Sequence, residues 1–126
     1  MTLTIVPYYA AALAALLLVL SLNVIRGRRE QKVALGAPGK SDLERRVRVH
    51  GNFAEYAPFA LLLLAMAEVR GTPPLVLHAL CLSLLLGRLS HAWGVSRADE
   101  DLRFRVAGMA ATFAAIGGAA LAIALG

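Results

Sequence analysis

The amino-acid sequence predicts an all-α fold, a single integral membrane four-helix bundle that occupies residues 1–126. Hydrophobic residues make up 59% of the chain and charged residues only 17%, whereas a soluble domain carries about a quarter charged residues. The apolar residues fall into four long blocks, and the charges are confined between them. The net charge of +5 comes from basic residues beside these blocks, a pattern typical of membrane topology. We therefore expect membrane lipids, and no nucleic acid, as partners.

The four blocks predict four spanning helices, at about residues 4–26, 42–69, 73–94 and 102–125. Between the first two, the segment ALGAPGK contains helix-breaking glycine and proline. The following SDLE, residues 41–44, fits a capping box in which Ser41 bonds forward and Glu44 reaches back. The segment GTPP, residues 71–74, predicts a tight connection, with proline placed where the third helix begins.

The fourth helix carries a row of small residues at positions 110, 114, 118, 122 and 126. Such rows allow helices to approach closely in lipid. They predict a tightly packed bundle that assembles into an oligomer.

The distribution of basic residues predicts the orientation in the membrane. Loop one, between the first two helices, and loop three, between the last two, are rich in basic residues, whereas the turn between the second and third helices holds only Arg70. Positive residues mark the cytoplasmic side. Loops one and three should therefore be cytoplasmic and both termini external.

The second helix begins with polar residues and ends with apolar ones. Its apolar run, residues 57–67, covers only about 16 Å of a hydrocarbon core about 30 Å thick. Arg48, Asn52 and Glu55 fall on one helical face, and Tyr56 flanks it. One interpretation is an interfacial arginine with an internal Arg48–Glu55 ion pair. The other is a ligand site, because ionisable residues at this depth usually face a cavity or a partner.

Other helix ends on the same side could supply the second half of such a site. They carry the polar residues Arg28, Arg29, Arg88, His91, Arg103 and Arg105. His91 is either a hydrogen-bonding group or a general base, and the chain has no metal-ligand spacing. The ligand should be a small anion with an amine or amide for Glu55 and Asn52, acting beside a lipophilic partner.

Four segments resemble the MAPEG family, the membrane-associated proteins in eicosanoid and glutathione metabolism. RVHGNFAEYAP, from Arg48, is similar to the helix-two pattern R-x-x-x-N-x-x-E-Y-x-P. SLNVIRGRREQKV resembles the end of the first helix, GRLSHAWG the third, and RVAGM, from Arg105, the start of the fourth. The resemblance is to a bacterial-type member, located in the inner membrane. It implies a homotrimer of four-helix subunits, with glutathione as co-substrate bound between adjacent subunits near the cytoplasmic side.

By position, the resemblance implies a set of site residues. Those implied to bind glutathione are Arg28, Arg48, Asn52, Glu55, Tyr56, His91 and Arg103. Arg105 is similar to the arginine that stabilises the glutathione thiolate, with Arg29 as the second candidate for this catalytic role.

Three functions follow from these residues. Val95 and Val106 stand where eicosanoid-forming members carry tyrosine and serine, so the resemblance favours a general glutathione transferase or peroxidase acting on lipophilic electrophiles or hydroperoxides. The alternative is a non-catalytic lipid-binding or accessory protein of the same fold. A small multidrug exporter has a similar length, but its characteristic glutamate is absent from the first helix, which holds no acidic residue between Thr4 and Ile25.

Overall fold

The computed structural model describes residues 2–126 and contains four α-helices joined by short connections. They are α1 (Val6–Gln31), α2 (Ser41–Val69), α3 (Pro74–Ser96) and α4 (Leu102–Leu125). Each is long and apolar enough to cross a membrane. The predicted all-α, four-helix membrane fold is therefore confirmed.

The predicted end of α1 and the predicted start of α2 need correction. α1 continues to Gln31 rather than ending near residue 26, because its charged last turns are stabilised by Arg28, which donates to the carbonyl oxygens of Val33 and Gly36. The expected capping box is wrong. Lys40 precedes the first residue of α2 without any side-chain cap, and the Glu44 N–H bonds to the Lys40 carbonyl.

α2 is the central helix of the subunit. It packs against all three other helices, whereas α1 contacts α2 and α3 but not α4 over the described part of the chain. Small and aliphatic side chains of α2, including Ala57, Ala60 and Leu64, are fully buried between its neighbours. Cys81 of α3 is buried in the same core, as expected for an apolar packing residue.

The closest helix contact joins α3 and α4 through glycine. A Cβ atom at Gly108 would lie 2.6 Å from the Gly87 carbonyl oxygen and 2.7 Å from the His91 nitrogen. Gly87 faces the same contact from α3, so neither of the two glycines tolerates a side chain. The buried face of α4 runs through Gly108, Thr112, Ala115 and Ala119. The predicted small-residue row belongs to the packing face within the subunit only in part. Its members at positions 110 and 114 are exposed, whereas a Cβ atom at Gly118 would clash with the Leu80 side chain of α3.

At the end of the bundle opposite loops one and three, Glu68 of α2 caps the start of α1. Its carboxylate accepts hydrogen bonds from the backbone N–H groups of Thr4, Ile5 and Val6, at 2.6, 2.7 and 2.8 Å. The first N–H groups of a helix have no partner within the helix, and a negative charge there is also favoured by the helix dipole. Glu68 thus joins α1 to α2 at this end.

We expect Glu68→Ala to lower the free energy of unfolding by about 1–2 kcal/mol, the usual effect of losing a helix N-cap. Thermal unfolding in detergent micelles measures this loss. Glu30→Ala is the matched control, because the Glu30 carboxylate is 56% exposed and lies 3.9 Å from its only ion-pair partner among the described residues, Arg46. Equal melting temperatures for the two variants would contradict the capping role.

Candidate functional site

A cavity of about 450 Å³ opens at the end of the bundle that carries loops one and three. Residues from α2, α3 and α4 form its walls, and three of them are arginines. The lining residues are Ser41, Glu44, Arg45, Arg48, Asn52, His91, Val95, Arg105 and Met109. The structure thus brings together four of the residues that the sequence singled out, Arg48, Asn52, His91 and Arg105.

The polar face of α2 has the predicted geometry. Arg48 and Asn52 line the cavity, and the Arg48 Nη2 atom lies 3.1 Å from Glu55 Oε1. The side chains of this ion pair are 57% and 56% exposed within one subunit. The expected internal pair is therefore present, and it lies at the rim of a ligand-sized cavity, so the two sequence interpretations do not exclude each other.

Glu100, in the connection between α3 and α4, binds two arginines of the cavity wall. Its Oε1 atom accepts from Arg45 at 3.0 Å, and its two oxygens accept from Arg105 Nη2 and Nε at 2.7 and 2.8 Å. The Glu100 side chain is only 7% exposed. These contacts fix the plane of the Arg105 guanidinium and connect α2 to the start of α4.

The two arginines also set the ionisation of Glu100. The hydrogen bond from Arg105, and then that from Arg45, holds the pKa of the Glu100 carboxyl below its usual range. Donors that favour the charged form have this effect on a carboxyl group. Glu100 therefore stays ionised at pH values where an ordinary glutamate begins to take up a proton.

Arg88 lies behind the cavity wall, within the bundle. Its side chain is 1% exposed and donates to Asn52 Oδ1 and, at 3.2 Å, to Thr112 Oγ1. Its guanidinium carbon lies 5.9 Å from the centre of the Phe53 ring. No carboxylate of residues 2–126 forms an ion pair with it.

His91 contributes an unsatisfied polar atom to the site. The residue is 4% exposed and lines the cavity, and its buried Nδ1 atom has no hydrogen-bond partner among residues 2–126. Most buried polar atoms in folded proteins have a partner. A polar group of a bound ligand would supply one.

Five other predicted site residues do not line this cavity. Glu55 pairs with Arg48, which lines the cavity. The Tyr56 ring packs against the Phe113 ring, with the ring centres 5.6 Å apart. The remaining three are Arg28, which binds the backbone of loop one, Arg29, which is exposed, and Arg103, which pairs with Asp101 at 2.7 Å.

The other histidines have structural contacts. The His50 ring bonds with Ser21 across α1 and α2, and the His78 ring bonds with the Tyr9 hydroxyl near the opposite end. Within residues 2–126, no cluster of three histidine, cysteine or acidic side chains is arranged to hold a metal ion.

Sequence reasoning missed Arg45 and Glu100 as parts of the site. Arg45 is one of the basic residues that precede the polar face of α2, and its position three residues before Arg48 places it near the same face. Glu100 lies in an irregular segment, where no periodic pattern predicts which of three consecutive acidic residues points inward. Only the fold identifies it.

The fold and the cavity define a small helical integral membrane protein with an arginine-lined cavity at one end. The chain belongs to the MAPEG family, which it matches over residues 6–125. It is 38% identical to the inner membrane protein YecN of Escherichia coli K12 over 108 residues, which cover 86% of this chain and 81% of that relative. The same values apply to YecN of Escherichia coli O6:H1 strain CFT073. The family predicted from the sequence is thereby confirmed.

Because folding lowers the pKa of Glu100, the ionised carboxyl stabilises the fold above its ordinary titration range, and this contribution is lost as the pH falls through the lowered pKa. We expect Glu100→Gln to lower the melting temperature at pH 7, and the difference from wild type to shrink as the pH falls below the range in which a glutamate ordinarily titrates. Glu30→Gln is the control, because the Glu30 side chain is exposed and lies 3.9 Å from its nearest ion-pair partner, Arg46. A difference that did not change with pH would contradict this account.

Proposed function

We propose that this protein is a glutathione-dependent transferase or peroxidase that acts on lipophilic electrophiles or hydroperoxides within the membrane. The observation that carries the proposal is the cavity lined by Arg45, Arg48 and Arg105. Its volume of about 450 Å³ lies in the usual range for small-molecule sites. Membership of the MAPEG family supports the same substrate class.

The residues of the cavity suit the chemistry of glutathione, a tripeptide with two carboxylates, one amine and a thiol. Arginine is well suited to carboxylate binding because its planar fork donates two parallel hydrogen bonds. Arg48 is our candidate partner for a carboxylate, and its neighbour Glu55 for the amine. His91 is a candidate donor or acceptor for a backbone amide of the tripeptide, through its unpartnered Nδ1 atom.

In the proposed chemistry, Arg105 favours the thiolate form of glutathione. A free thiol with a pKa near 8.5 is only a few per cent ionised at neutral pH. A guanidinium beside the sulfur stabilises the anion by charge and hydrogen bonding, and each unit of pKa is worth about 1.4 kcal/mol. The thiol proton passes to water. The sulfur lone pair then forms a bond to the electrophilic carbon, and the leaving group departs with its electron pair. With a hydroperoxide, the sulfur instead attacks a peroxide oxygen as the O–O bond breaks and the alcohol leaves, and a second glutathione then displaces water to give the disulfide. The hydrogen bonds of Arg105 to Glu100 use only Nε and Nη2, so Nη1 remains to meet the sulfur.

We also propose the side of the membrane on which the cavity lies. It opens at the end where loops one and three carry most of the basic residues. Glutathione is a water-soluble anion, and positive loops face the cytoplasm. We therefore assign loops one and three to the cytoplasm and both termini to the external side, which places the thiol site where it draws on the cytoplasmic pool.

A homotrimer is the assembly that we propose for the active protein. The Arg48–Glu55 pair is more than half exposed on a single subunit, although it lies on a helix that spans the membrane. Charges in such segments normally face a partner or a water-filled cavity. A second subunit packed over this face would cover the pair and complete the cavity rim.

We expect the mass of the purified protein in detergent, corrected for bound detergent, to equal three chains. Light scattering combined with absorbance and refractive index separates the protein mass from the detergent mass. A monomer that nevertheless binds glutathione would contradict the shared site. Oppositely oriented dimers would favour the exporter alternative instead.

Mutation of the two ends of the proposed site should have different effects. Arg105→Ala should lower kcat and abolish the ultraviolet absorbance of the thiolate, while glutathione affinity changes only a few-fold. Glu55→Gln should mainly raise KM for glutathione, the pattern of lost ground-state binding. Activity is measured with an aryl halide and with a lipid hydroperoxide.

The matched control is Arg97→Ala. Arg97 lies outside the cavity, over the Trp93 ring and beside Asp99, so its removal should leave both constants unchanged. Wild-type protein that neither binds glutathione nor forms thiolate would overturn the enzyme proposal, and the non-catalytic lipid-binding function would replace it.

A further inference from the structure

The buried guanidinium of Arg88 is a charge that the proposed chemistry does not use. The other arginines at the site share carboxylates, since Arg45 and Arg105 bind Glu100 and Arg48 binds Glu55. Arg88 is 1% exposed, and its described partners are neutral. Burying a charge without a counter-ion is costly, so its neutral partners must be held in a definite arrangement.

The contact with Asn52 fixes how the Asn52 amide points. The Arg88 Nη2 atom donates to Asn52 Oδ1. Arginine has five donors and no acceptor, so only the oxygen of an asparagine amide can face it. The amide nitrogen, with its two N–H donors, therefore points away from Arg88. Asn52 lines the cavity, whereas Arg88 does not.

Arg88 itself is held in place by α4. Its Nη1 atom donates to Thr112 Oγ1, and that hydroxyl donates in turn to the Gly108 carbonyl at 2.8 Å. The direction of these bonds is consistent, because the hydroxyl accepts one and donates the other. The contact of Gly87 with Gly108 brings the two helices together beside this chain of bonds. The Arg88 fork is thus positioned by helix packing and not by the ligand.

We propose that Arg88 is a positioning residue that turns the Asn52 amide so that its N–H donors face the cavity and bind a carboxylate of the ligand beside Arg48. This inference rests on the proposed glutathione site and changes the expected role of one residue in it. The sequence suggested an amine or amide of the ligand as the group that Asn52 and Glu55 would hold. An ammonium group at the Asn52 oxygen would instead lie next to the buried Arg88 charge and be repelled by it.

The variant Asn52→Asp separates the two roles of this side chain. Aspartate keeps the oxygen that Arg88 needs and adds a counter-charge, but it has no N–H to offer the ligand. We expect the melting temperature of Asn52→Asp in detergent to match or exceed that of wild type. Asn52→Leu, which removes the acceptor from a buried charge, should melt several degrees lower.

Glutathione binding, measured by titration calorimetry on the same detergent-solubilised proteins, then tests the direction of the amide. We expect Asn52→Asp to bind glutathione at least tenfold more weakly than wild type, although it is equally stable. Asn23→Asp is the matched control, because it introduces the same charge on α1, away from the cavity lining. Asn23→Asp should bind as wild type does.

Substitution of Arg88 provides the second readout. Arg88→Met frees the Asn52 amide to rotate and should weaken glutathione binding. Arg88→Lys, which still donates to the Asn52 oxygen, should recover part of the affinity. Recovery by lysine distinguishes positioning from a simple requirement for volume.

The outcomes separate this inference from the proposed function. Asn52→Asp that binds glutathione as well as wild type, or better, overturns the inference while the enzyme proposal stands. Wild-type protein that does not bind glutathione overturns the enzyme proposal, and the melting temperatures still decide whether Arg88 fixes the amide. A lower melting temperature for Asn52→Asp than for wild type would show that Arg88 does not fix the amide. Equal melting temperatures for Asn52→Leu and wild type would show the same.

Discussion

The contact between Gly87 and Gly108 is the constraint on which the cationic end of the molecule depends. It allows the backbones of α3 and α4 to touch where any side chain would separate them. This proximity places Thr112 within reach of Arg88 and His91 directly beside α4. The floor of the cavity is therefore a product of backbone packing.

Around this contact, most polar side chains form hydrogen bonds with other groups of the protein. Glu100 satisfies two arginines at once, and the Arg45 guanidinium also donates to the Val95 carbonyl. The Arg88 Nη1 and Nη2 atoms bond to neutral groups, and its buried Nε atom has no hydrogen-bond partner among residues 2–126. At this end of the bundle, the positive charges of the arginines therefore outnumber the carboxylates that pair with them. An excess of positive charge favours the binding of an anionic molecule.

Much of the fold was predictable because lipid imposes long apolar blocks, and the four helices follow those blocks closely. The helical face with Arg48 and Asn52 was predictable from periodicity. The packing face of α4 was not predictable in this way, because a helix with small residues on every side shows no preferred row. The position of Gly87 on α3 decides which face of α4 packs. Glu100 was not predictable either, because irregular segments have no period. The direction of the Asn52 amide depends on Arg88, 36 residues away in sequence.

The contacts of α1 bear on the order in which the chain assembles. Its polar contacts across the bundle are mostly with α2: Glu68 at one end, and His50 and Arg46 at the other, where Arg46 donates to the Asn23 carbonyl. These bonds require no residue beyond position 69. The first two helices can therefore pair as a hairpin in the bilayer before α3 and α4 have been synthesised, with hydrogen bonds at both ends of the hairpin. α3 and α4 can then join as a second pair, and the cavity forms only when the two hairpins meet.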